Sequence, residues 1–178
     1  MILVALGANL PGQAGVPAAQ IAAALDAIDA EIGRVVACSR FYGSPSWPDP
    51  RQPRYVNAVA AIATTLDPEA LLAALLALEL RLGRVRGAPD EPPNAPRAID
   101  LDLIDYDGLV RASPPPVLPH PRMQARGFVL LPLADVAPDW RHPVTGMTVA
   151  ALIAALPRDG ETRPLARGWA RGTRADRV

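Results

Sequence analysis

Short apolar runs and helical stripes, separated by proline-rich stretches, organise this chain. Residues 2–8 are almost entirely apolar and end at Asn9-Leu10-Pro11-Gly12, which predicts a buried strand opening into a turn. From Pro17 onward, Ile21, Leu25, Ile28 and Ile32 recur at spacings of four and three, and Gly33 follows them. That pattern predicts a helix with one apolar stripe and a glycine at its C-terminal end. Residues 34–42 and 55–65 predict two further strands around a proline-rich loop, 43–54. Asp67-Pro68-Glu69 predicts a second helix start, with a capping carboxylate, a proline in the first turn and an acid near the positive end of the dipole. Leu71, Leu72, Leu75, Leu78 and Leu82 form its apolar side, and Glu79 is the charged residue beside that stripe. A second proline-rich loop, 87–96, leads into a strand over 98–106. Residues 112–122 read as irregular, 127–136 as apolar without an assigned element, and 148–156 as a short helix. The order strand-helix-strand-strand-helix-strand predicts an α+β, ferredoxin-like fold. Its sheet is largely antiparallel, with helices packed on it and long loops that carry the catalytic groups.

No internal repeat or linker divides the chain, so residues 1–157 are expected to form a single domain. Residues 158–178 carry six Arg and little apolar content and are expected to be a mobile tail. Half of the residues are apolar and the formal net charge is zero, which argues against a nucleic-acid partner. All 18 basic residues are Arg, as GC-rich coding produces. The absence of Lys closes a P-loop and Schiff-base chemistry, and leaves Arg, His or a metal as the only cation that can meet a phosphate. Cys38 is alone beside Val35, Val36 and Ala37 and reads as a buried structural thiol. The first basic residue is Arg34, so the positive start of a signal peptide is missing, and no apolar run approaches membrane-spanning length. The expected compartment is the cytoplasm, with no membrane and no obligate protein partner.

Alternation in the strand over 98–106 puts Asp100 and Asp102 on one face and Ile99, Leu101 and Leu103 on the other. The two acids would have Cα atoms roughly 6–7 Å apart. Such a pair suits Mg²⁺, or else it is a solvated strand face. Arg84, Arg86, Arg97, His120, Arg122 and Arg126 surround it in sequence. An acid pair with several Arg is what polyphosphate transfer needs, because a metal bridges the oxygens and guanidinium groups hold the charge that moves. Ser44, Trp47, Tyr55 and Asn57 supply flat surface and an amide for a heterocycle, or ordinary loop packing. A nucleotide-sugar glycosyltransferase also uses Asp-x-Asp with a metal, but 178 residues is short for its nucleotide-binding domain. A non-catalytic ligand sensor of the same fold has no need for the acid pair.

Several segments together resemble the 6-hydroxymethyl-7,8-dihydropterin pyrophosphokinase family of folate biosynthesis. They are Leu6-Gly7-Ala8-Asn9-Leu10, Phe41-Tyr42 with Ser44-Pro45, Tyr55-Val56-Asn57, and Glu79 with Gly83-Arg84-Val85-Arg86. Pro96-Arg97-Ala98-Ile99-Asp100-Leu101-Asp102 and Pro119-His120-Pro121 with Arg126-Gly127-Phe128-Val129-Leu130 complete the set, in family order. The resemblance implies a Mg²⁺-dependent enzyme whose substrates are ATP and 6-hydroxymethyl-7,8-dihydropterin. The hydroxymethyl oxygen attacks the β-phosphorus, pyrophosphate moves as a unit and AMP leaves. By that resemblance Asp100 and Asp102 hold two Mg²⁺ with ATP, and Arg86 and Arg97 act catalytically with them from loops that close over the phosphates. Glu79, Arg84, Leu103, His120 and Arg126 belong to the ATP site. Ser44, Pro45, Trp47, Tyr55, Asn57 and Phe128 line the pterin slot.

The chain departs from the family in three places. Many members have Trp-Gly-Pro-Arg before the acidic strand, where this chain has Asn94-Ala95-Pro96-Arg97, so the aromatic cover from that position is missing and Trp47 is the candidate replacement. The loop over 87–93 is longer and richer in proline. Pro121 stands where some members have an aromatic.

Overall fold

A computed structural model describes residues 1–46, 49–85, 95–157 and 161–169. Its sheet runs β5-β1-β4-β3-β6, with β2 also paired to β4, and every pairing is antiparallel. The strands are β1 (Ile2–Ala8), β2 (Arg34–Cys38), β3 (Arg40–Ser44), β4 (Tyr55–Ala63), β5 (Asp100–Tyr106) and β6 (Arg163–Gly168). The helices are α1 (Pro17–Ala27), α2 (Pro68–Arg81), α3 (Gly127–Val136) and α4 (Val149–Ala155). The ferredoxin-like α+β arrangement read from the sequence is the one observed, with the short helix expected over 148–156 present as α4 and with β6 and α3 added.

Two apolar layers hold the sheet. On one face Ile21, Leu25 and Ile28 meet Leu71, Leu75 and Leu78 over Val4, Leu6, Ala60, Leu101 and Leu103. On the other, Leu3, Val59 and Ile104 pack against Val129, Leu130, Leu133, Trp140 and Leu152. The α1 stripe continues through a π-helical turn, Ile28–Ile32, closed by the Gly33 N–H donating to Ile28 O at 2.9 Å. Gly33 is extended, and its reason is space: a Cβ there would lie 2.7 Å from the Ala63 carbonyl oxygen. Asp67 caps α2 by accepting the Ala70 N–H at 2.7 Å, as its position predicts.

Three sequence expectations change. The strand expected over 34–42 is broken at Ser39, whose hydroxyl accepts the Val59 N–H at 3.0 Å in place of a ladder carbonyl. The apolar stretch 127–136 is a helix in spite of Pro132, because Val129, Leu130 and Leu133 bury a common face. The domain extends past residue 157. Residues 163–168 form β6 against β3, and Trp169 packs on the first core while its indole N–H donates to Asp26 at 2.8 Å. Residues 158–160 and 170–178 lie outside the described residues.

Candidate functional site

Edge strand β5 carries the acid pair, and two of its backbone groups find partners outside the sheet. The Leu101 N–H donates to Glu79 Oε1 at 2.6 Å, and the Ile104 carbonyl accepts the His120 N–H at 2.9 Å. Paired edge groups keep the strand in register and deny it to another chain. Leu101 and Leu103 face the α1/α2 layer, so Asp100 and Asp102 face the other way, as alternation requires. A bulge then resets the strand: Val4 pairs with Leu103 and Leu3 with Asp105, leaving Ile104 as the extra residue. Asp105 is thereby turned to the α3/α4 layer, where it accepts the Trp140 indole N–H at 2.7 Å.

Beyond β5, a cleft of about 370 Å³ is lined by charged and by apolar side chains. Arg84, Arg97, Asp100, Asp102, His120 and Arg126 make the polar lining, and Leu72, Leu76, Leu103, Pro116 and Val117 the apolar one. Asp100 is shared between two cations: Arg84 binds Oδ1, and Arg97 Nη1 lies 3.1 Å from Oδ2. Asp102 stands further off, with Oδ2 at 3.9 Å from Arg126 and 4.0 Å from His120 Nε2. Its carboxyl is pushed above the ordinary range, first by burial and then by the negative charge of Asp100. His120 Nδ1 accepts the Arg122 N–H at 3.2 Å, which puts the ring proton on Nε2, toward Asp102. Burial lowers the His120 pKa more than Asp102 raises it, so the ring is neutral near pH 7.

These donors fit a divalent metal. Asp102 is a partly exposed carboxylate next to a second one, with side-chain exposures of 37% and 27% for the pair. A small hard cation would offset the burial and the Asp100 charge that together raise the Asp102 pKa.

Glu79 was expected among the ATP contacts. It is instead only 1% exposed and turned to Leu101 N–H and Arg84 Nη1, the latter at 2.7 Å, so it holds β5 and Arg84 rather than opening onto the cleft. Arg84, Arg97, Leu103, His120 and Arg126 all line the cleft. Arg86, Trp47 and Asn94 lie outside the described residues.

The heterocycle residues gather at the neighbouring end of β3 and β4. Asn57 Nδ2 donates to Ser44 Oγ at 3.0 Å, and its Oδ1 faces Gly7, which has no side chain to cover it. Tyr55 is close enough to Arg97 and Asp100 for both charges to act on its phenol, although burial dominates and raises its pKa. The Arg126 guanidinium carbon sits 5.5 Å from the Phe128 ring centroid, which ties this group to the charged side chains of the cleft. Pro45 is half-buried at the end of β3. Sequence reading missed the apolar wall. Leu72 and Leu76 are one helical turn apart and offset from the buried Leu71 and Leu75, a signal visible only once the core face of α2 is known.

The chain is similar in sequence and in fold to known proteins. The chain is 45% identical over 163 residues to a 2-amino-4-hydroxy-6-hydroxymethyldihydropteridine pyrophosphokinase of Pseudomonas aeruginosa, covering 91% of this chain and 95% of that one. It is 41% identical over 159 residues to the protein of the same name from Methylorubrum extorquens, covering 89% and 94%. A Plasmodium falciparum HPPK-DHPS crystal structure shares the fold with a TM-score of 0.67 at 13% identity, covering 86% of this chain and 44% of that longer one. Among the described residues no helix is long and apolar enough to cross a membrane. Residues 3–138 match the family described as 7,8-dihydro-6-hydroxymethylpterin-pyrophosphokinase, and the chain belongs to that family.

Proposed function

We propose that this protein transfers pyrophosphate from ATP to the hydroxymethyl group of 6-hydroxymethyl-7,8-dihydropterin, releasing AMP, in folate biosynthesis. The observation that carries the reading is the cleft itself, in which an acid pair on β5 faces Arg84, Arg97, Arg126 and His120 beside an apolar wall. The apolar side chains accept a flat purine, and the charged ones accept its polyphosphate. Ser44, Pro45, Tyr55, Asn57 and Phe128 hold the pterin, with the Asn57 amide reading its polar edge. The hydroxymethyl oxygen then forms a bond to the β-phosphorus and releases its proton to solvent, the bond from that phosphorus to the α,β-bridging oxygen breaks, and the bridging oxygen leaves with AMP.

Arg97, Arg84 and Arg126 offer fixed guanidinium donors where negative charge shifts toward the departing AMP. Asp100 and Asp102 would hold Mg²⁺, two ions with ATP, and the metal would supply positive charge that offsets the polyphosphate. His120, neutral with its proton on Nε2, is a hydrogen-bond donor to a phosphate oxygen and adds no charge to repel Arg126. The reading places the protein in the cytoplasm, where ATP is supplied.

The test is substitution of the acid pair. Asp100→Ala and Asp102→Ala should each abolish turnover while circular dichroism and thermal unfolding show a folded protein. Wild-type turnover in either variant contradicts the assignment. Arg97→Ala should slow the single-turnover rate more than it weakens ATP binding, and an unchanged rate contradicts its role.

A further inference from the structure

We propose that Asn9 is a positioning residue that fixes Arg97 against the loop preceding the pterin-binding strand, so that one buried amide sets the two halves of the active site relative to each other. The side chain is 2% exposed and both of its polar ends are used. Its Oδ1 accepts the Arg97 N–H at 2.7 Å, and its Nδ2 donates to the Pro53 carbonyl at 3.1 Å. The backbone adds to this grip, because the Asn9 and Leu10 N–H groups both donate to the Arg97 carbonyl, at 3.1 and 3.2 Å.

Arg97 is therefore held through its own N–H and its own carbonyl by one turn at the end of β1. Its guanidinium is then left to reach Asp100, with Nε donating to the Ala95 carbonyl at 3.2 Å. Pro53 lies two residues before Tyr55, the first residue of β4 and a pterin-slot residue. The segment that carries the phosphate-side cation and the segment that leads into the pterin slot share no strand ladder at these positions, and the Asn9 amide bridges them. Asn suits this place because a primary amide supplies an acceptor to one side and a donor to the other without bringing a charge into a buried position beside Arg97. Asp keeps the acceptor but loses the donor, and Ala loses both.

Gln20 provides an internal comparison. It is a second buried amide of the β1–α1 region, accepting the Ala14 N–H at 2.8 Å and donating to the Leu82 carbonyl at 2.6 Å, and it touches neither Arg97 nor Pro53. If Asn9 only stabilised the fold, the two amides would behave alike toward Arg97.

The kinetic side of this inference rests on the pyrophosphoryl-transfer reading, so the experiment carries a readout that does not depend on activity. Full-length Asn9→Ala, Arg97→Ala and the double variant are compared in single-turnover AMP formation, with Gln20→Ala and Gln20→Ala/Arg97→Ala as the parallel cycle. Asn9→Ala should slow the chemical step by about tenfold to a hundredfold, as displacement of a positioned group does, with ATP affinity little changed. The double variant should be no slower than Arg97→Ala alone, whereas any loss from Gln20→Ala should multiply with that of Arg97→Ala. Hydrogen exchange followed by NMR should show the Arg97 amide opening faster in Asn9→Ala and unchanged in Gln20→Ala.

Asn9→Asp separates the two bonds, and it also serves if Asn9→Ala does not fold. It should keep the Arg97 amide protected while weakening pterin affinity. Losses that multiply in Asn9→Ala/Arg97→Ala, or an Arg97 amide equally protected in Asn9→Ala and wild type, overturn the proposal. So does an Asn9→Asp protein with wild-type pterin affinity. A wild-type protein that forms no AMP removes the functional reading, and the exchange comparison still decides whether Asn9 fixes Arg97.

Discussion

Glu79 Oε1 accepts the Leu101 backbone N–H at 2.6 Å and the Arg84 guanidinium at 2.7 Å, so one buried carboxylate on α2 sets both the edge of the acidic strand and the cation beside it. Losing it strands a half-buried guanidinium, although Asp100 still pairs with Arg84. Glu79→Ala should therefore cost about 2–3 kcal/mol, somewhat less than breaking a wholly isolated buried pair. Glu79→Gln keeps an acceptor for Leu101 N–H and should lose about half as much. Urea unfolding checks both, and equal stability of the two variants contradicts the separate role of the Leu101 bond.

Asp102 carries a pH dependence of definite sign. Its carboxyl is held above the ordinary range by burial first and by Asp100 second, so the folded protein keeps this proton where the unfolded chain has lost it. The stability from this group is complete below the unfolded carboxylate pKa. It is lost as pH rises from there through the raised folded value. In metal-free buffer Asp102→Asn should remove that decline and unfold at a higher temperature than wild type at neutral pH. Mg²⁺ with ATP should raise the Tm of wild type and leave the variant almost unmoved. Parallel pH profiles for the two proteins contradict the assigned shift.

Cys38 should be a poor nucleophile. Burial pushes its thiol from the usual value near 9 up to about 12, so almost no thiolate is present at pH 8. Iodoacetamide should modify the native protein far more slowly than the urea-unfolded chain. Because the folded pKa is the higher one, stability should also fall as pH rises above about 9, and Cys38→Ser should flatten that slope. Equal alkylation rates for native and unfolded protein contradict a buried thiol.

The strand β6 and Trp169 belong to the domain. Trp169 packs on the first core and bonds Asp26, and β6 covers one edge of β3. Trp169→Ala should cost about 1–2 kcal/mol, below the value for a fully buried aromatic. A chain ending at Pro157 should unfold at a lower temperature than the full one. Unchanged thermal unfolding of that truncated chain contradicts the packing role.

Much of this architecture is legible in the sequence because each signal is local. The Ile21, Leu25 and Ile28 stripe, the Asp67 cap and the alternation that pairs Asp100 with Asp102 need no knowledge of distant residues. What escaped is set by tertiary contacts. The Ser39 hydroxyl replaces a ladder acceptor only because Val59 lies opposite it. The 127–136 helix forms over Pro132 because the second core pays for it. The Arg-rich composition beyond residue 157 hides a strand whose stability comes from the β3 edge. At the site, the acid pair, Arg84, Arg97, His120 and Arg126 were readable as residue types, and family resemblance supplied their grouping. The inward turn of Glu79 and the apolar wall from Leu72 and Leu76 depend on which side of α2 meets β5, and that emerges only from packing.

The most direct test of the central claim is the product made from ATP and 6-hydroxymethyl-7,8-dihydropterin in the presence of Mg²⁺. Phosphorus-31 NMR of the reaction should show AMP appearing in equal amount with a diphosphate ester of the pterin, and both signals should vanish with Asp102→Ala. ADP with a monophosphate ester, or ATP left intact under these conditions, would contradict pyrophosphoryl transfer at the Asp100–Asp102 cleft.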